Sequence, residues 1–88
     1  GAHSAAEQEL AACAEEAEGQ GWITIAAFAH QHRGKNAFDA GDFDTARDSF
    51  KQSLFLRREA GAADRELEVT LLAIDAAERR RPSQLVAG

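Results

Sequence analysis

The sequence is short of the residues that most often point to a function. Its one cysteine, Cys13, cannot close an internal disulfide, so a reducing compartment, the cytoplasm, is expected. Ten Lys and Arg stand against fifteen Asp and Glu, and the net charge of −5 argues against a general nucleic-acid surface, which needs clustered cations to release counterions. The dense basic run Arg79-Arg80-Arg81 sits at an expected helix C-terminus, where cations complement the macrodipole. No apolar run approaches the roughly 20 residues of a membrane span, so no membrane contact is expected. A Gly-rich phosphate cradle, a nucleophile elbow and paired catalytic carboxylates are all missing. Neither enzyme activity nor a cofactor is expected.

Three small groups suggest chemistry and are better explained without it. His30 and His32 diverge by about 200° on a helix, whereas helical metal-ligand pairs sit three or four residues apart. Asp39, Asp42 and Asp44 surround Gly41 without the distal bidentate glutamate that a calcium loop requires, and read as a cap and a solvated turn. Cys13 lies among glutamates that disfavour a thiolate, and reads as a small buried hydrophobe. No metal site is expected.

What the chain does have is helical periodicity. Its 88 residues make one domain at most, burying roughly 60–65% of the unfolded surface. Much of the 44% hydrophobic content is Ala, which contributes little area per residue, so close helix packing or a partner surface must add to the core. Ser4 with Glu7 has the spacing of a capping box and starts a first helix with Ala6, Leu10, Cys13, Ala14 and Ala17 inward, ended by Gly19-Gln20-Gly21. A second helix is expected from Trp22 to Ala40, with Trp22, Ile25, Ala26 and Ala29 on one face; Ile-Thr-Ile leaves strand as the alternative at its start. Gly41 ends it and Asp42 caps a third helix, which turns Phe43, Ala46, Phe50, Ser53 and Leu54 inward and closes at Gly61. Asp64 is expected to cap a fourth, with Leu67, Leu71, Ile74 and Ala77 on one face and Val69, Leu72 and Ala76 on a second, stopped by Pro82. Residues 1–3 read as the remnant of a cleaved tag, 4–81 as the helical domain and 82–88 as a flexible tail.

The chain also repeats itself. Ala6, Leu10, Cys13 and Ala14 overlie Ala46, Phe50, Ser53 and Leu54 at a spacing of forty, and Gly21 overlies Gly61. Within the middle hairpin, Gly34, the turn Gly41-Asp42-Phe43, Ala46, Phe50, Ser53 and Leu54 follow a pattern of small residue, Gly-Asp-aromatic turn, alanine and aromatic. That pattern resembles the tetratricopeptide repeat. More narrowly, residues 53–61 with Thr70, Leu71 and Ile74 resemble the longer-period repeats of bacterial multidomain regulators of the ATPase and transcription-activator type. His30 and Arg33 depart from it, standing where the family prefers large apolar residues, and Ala37 replaces an aromatic.

The resemblance implies an all-α fold of about four helices, with antiparallel hairpins stacked as a short right-handed solenoid. It also implies a concave groove that takes a partner peptide or helix, faced by Phe28, Gln31, Lys35, Phe38 and Asp39. Packing of Phe28 and Phe38 on the fourth helix is the alternative role for those rings. The expected function is protein binding within a larger bacterial regulator. The second possibility is a structural homodimer joined through Val69, Leu72, Ala73 and Ala76 on the open face of the fourth helix.

Overall fold

Three glycines divide the chain at twenty-residue intervals, and all three hold the same turn. In a computed structural model, which describes residues 2–80, Gly21, Gly41 and Gly61 have φ of 75°, 82° and 72°, a region that costs glycine nothing. Each glycine N–H donates to the carbonyl three residues back (Glu18, Phe38, Arg58), and each following N–H to the carbonyl five back (Ala17, Ala37, Arg57). This is the Schellman end of a helix, formed three times. It separates α1 (Ala2–Gln20), α2 (Ile23–Asp39), α3 (Phe43–Glu59) and α4 (Asp64–Arg80), with no strand among the described residues. The fold is all-α, and the start of α2 is helix rather than strand.

Helix starts follow the sequence less closely. Asp42 does cap α3, its carboxylate accepting from Thr45 N at 3.2 Å. Ser4 caps nothing, because α1 already begins at Ala2 and Ser4 lies inside it. Asp64 is likewise the first residue of α4 rather than its cap; the carbonyl of Ala63 receives the Glu66 and Leu67 N–H groups, while Asp64 sits where the helix dipole favours an acid. The expected stop at Pro82 and the end of the arginine run at Arg81 lie outside the described residues.

Each helix packs mainly on its neighbours in the chain, α1 on α2, α2 on α3 and α3 on α4. The core runs through Ala37, Ala46, Phe50, Leu54, Ile74 and Ala77, with Phe38, Leu67 and Ala73 against it. Between α1 and α3, α2 is held close on two sides, so its smallest residues, Ala26, Ala27, Ala29, Gly34 and Ala37, are buried, and His30 with them. Trp22 and Ile25, expected to share that inward face, are exposed instead. In α4 Thr70 is buried and Leu71 is exposed, the reverse of what the apolar pattern suggested.

Cys13 is another correction. It is exposed, although its forty-residue counterpart Ser53 is wholly buried and donates to the carbonyl of Ala27 in α2 at 2.9 Å. Among the described residues α3 has a packed neighbour on each side while α1 packs mainly on α2, so equal positions in the repeat meet unequal surroundings.

The interface of α1 with α2 explains the two departures from the repeat pattern. Arg33 donates Nε–H and Nη2–H to Glu7 Oε1 at 2.9 and 2.6 Å, and His30 Nε2 lies 2.5 Å from Glu18 Oε1. An ionised carboxylate only accepts, so the imidazole proton is on Nε2. These side chains exchange apolar contact for pairing with the acids of α1. His30 Nδ1 and Glu7 Oε2 remain buried without a partner among the described residues.

Candidate functional site

The site begins from the direction of the helices. Thr70 Oγ1 lies 3.4 Å from Gln31 Oε1, and on either side of this crossing the residues of α2 and α4 that share a hollow ascend together. Thus α2 and α4 run parallel with a groove between them, over α3.

Beyond the crossing, Lys35, Phe38 and Asp39 of α2 meet Ala73 and Ala76 of α4 above Phe50, around a hollow of ≈ 270 Å³. Its lining is mostly apolar. Phe38 forms its wall, fixed edge-on by Phe43 at 5.1 Å between centroids and overlaid by the Arg80 guanidinium 5.7 Å from its ring. Before the crossing, Thr24, Ala27 and Phe28 of α2 meet Arg57 of α3, with Ala60, Ala62 and Glu66, around a second hollow of ≈ 330 Å³ that is more polar.

The five residues implied by the repeat therefore lie along one groove but not in one pocket. Lys35, Phe38 and Asp39 are together; Gln31 marks the crossing; Phe28, 60% exposed, lines the other hollow, its ring tilted against that of His32 with 4.2 Å between centroids. Since Phe38 packs beside Ala73, the packing role proposed for both rings fits Phe38 better than the exposed Phe28. The four α4 residues proposed for self-association separate as well: Ala73 and Ala76 line the groove, while Val69 and Leu72 stand 54% and 63% exposed. His30 and His32 turn to different partners, Glu18 and Phe28.

Arg57 escaped the sequence reading. Near the end of α3 it resembles an ordinary C-terminal cation; only the approach of α4 makes it part of the groove. In comparisons with protein families, curated proteins and solved structures, nothing matches the chain.

Proposed function

We propose that this chain is a protein-interaction module of the tetratricopeptide type, taking a peptide or helix of a protein partner in the groove between α2 and α4, inside a larger bacterial regulator of the cytoplasm. The observation that carries this reading is the apolar hollow formed by Phe38, Ala73 and Ala76 over Phe50, rimmed by Lys35 and Asp39. Concave, mostly apolar surface with a few polar groups at its edge is what a side-chain anchor requires. The second reading, a structural homodimer, draws on the exposure of Val69 and Leu72 beside that groove.

Selection of a displayed random-peptide library on the protein tests the first reading. Binders should shift the amide resonances of Phe38, Ala73 and Ala76, and should be lost on Ala76→Arg, which fills the hollow from its rim. No binder, or binders that shift only α1, would overturn it.

A further inference from the structure

The guanidinium of Arg57 is oriented but only partly used. Its Nη1 hydrogens go to α4, to Thr70 Oγ1 at 2.6 Å and to the carbonyl of Glu66 at 3.3 Å. Thr70 is itself wholly buried and passes its hydroxyl proton to the Glu66 carbonyl at 3.1 Å, so the acceptor side of this contact is rigid. Two bonds from one nitrogen hold the guanidinium plane. The remaining edge, Nε–H with Nη2–H, has no acceptor among the described residues, and no carboxylate there lies within 4.0 Å of Arg57.

The same edge is occupied elsewhere in the molecule. Arg33 uses Nε–H and Nη2–H together to hold Glu7. A half-buried arginine whose fork is fixed by neutral acceptors and left open on its carboxylate-binding side is preorganised for an anionic group. The surroundings agree in charge. Among the described residues Lys35 and Arg80 also line or cover the groove without a carboxylate within 4.0 Å, and the groove's cations there outnumber its acids, Asp39 and Glu66, in a chain of net charge −5.

We propose that the groove selects an acidic peptide, with Arg57 holding an Asp or Glu side chain in the polar hollow while a bulky apolar residue enters the hollow of Phe38. This rests on the groove being the binding site, and it names the partner's chemistry. Phe28 and Phe38 mark the two hollows, and ten residues of helix set them about 15 Å apart. An extended peptide of four or five residues spans both.

The test uses selected peptides, remade with blocked ends and measured by calorimetry. Glu→Gln at the peptide's acidic position should weaken binding about tenfold or more, the scale of a lost charge-assisted pair. In Arg57→Met that replacement should then cost little, because the two groups act on each other. Arg57→Gln removes the charge but keeps a donor for Thr70, and carries the same test should Arg57→Met fail to fold. Peptides that shift Phe38 and Ala76 yet contain no acid, or a Glu→Gln cost equal in wild type and variant, would overturn the acidic preference and leave the groove standing. Failure of any peptide to reach the groove would remove both.

Discussion

The ring of Phe50 lies so close to the backbone of Gly34 that a Cβ added at Gly34 would stand 2.5 Å from both Cδ1 and Cε1 of the ring. Gly34 is in mid-helix, where Ala is favoured by ~1 kcal/mol. The contact decides the opposite way, because a buried ring flanked by Leu54, Ile74 and Ala77 has little room to move. Gly34→Ala should destabilise by ~1–3 kcal/mol. Adding Phe50→Leu should recover part of that loss, and a double-mutant cycle in urea would show the coupling; strictly additive effects would mean that the ring yields freely.

Phe50→Ala should be more severe. The ring is 3% exposed and central to the core, so its removal leaves a cavity and should cost ~3–5 kcal/mol. In a domain of 88 residues that is a large part of the total stability. Loss of the cooperative thermal transition in circular dichroism is expected; a native transition would place the ring outside the core.

Gly41 is required for a different reason. A Cβ there meets nothing within 4 Å, so only its φ of +82° resists substitution. Gly41→Val should cost ~1–2 kcal/mol or more through backbone strain alone. Chemical denaturation against wild type measures it, and an unchanged midpoint would show that the turn can rebuild.

The exposure of Cys13 can be read in the native protein. A thiol reagent should label it to completion without denaturant, at a rate that urea below the unfolding transition hardly changes. Labelling that waits for unfolding would bury it.

Self-association through the open face of α4 requires Leu72, 63% exposed. A dimer of that kind, seen by sedimentation at rising concentration, should dissociate on Leu72→Glu, which would have to desolvate a charge, and persist in Gln31→Glu. A monomeric wild type, or a dimer indifferent to Leu72→Glu, excludes this surface and leaves the groove.

Much of what depended on neighbours along the chain was legible in the residues, though not the starts of α1 and α4. The left-handed turns at Gly21, Gly41 and Gly61, the Asp42 cap and the inward face of α3 all follow from groups within about two helical turns of one another, where periodicity and backbone preference act directly. Lys35, Phe38 and Asp39, three of the five residues that the resemblance implied for a groove, line one hollow. What only the tertiary structure decided was which neighbour each face meets. Cys13 and Ser53 occupy equal places in the repeat and differ in burial because, among the described residues, α1 packs mainly on α2 while α3 lies between α2 and α4. Thr70, not Leu71, shares the packed face of Leu67, Ile74 and Ala77, and its hydroxyl is tolerated there because Arg57 reaches it from α3 and the Glu66 carbonyl accepts its proton. The open fork of Arg57 has the same origin: hydrophobic pattern carries no record of a hydrogen bond between residues thirteen positions apart, and it is that bond which orients the guanidinium at the groove.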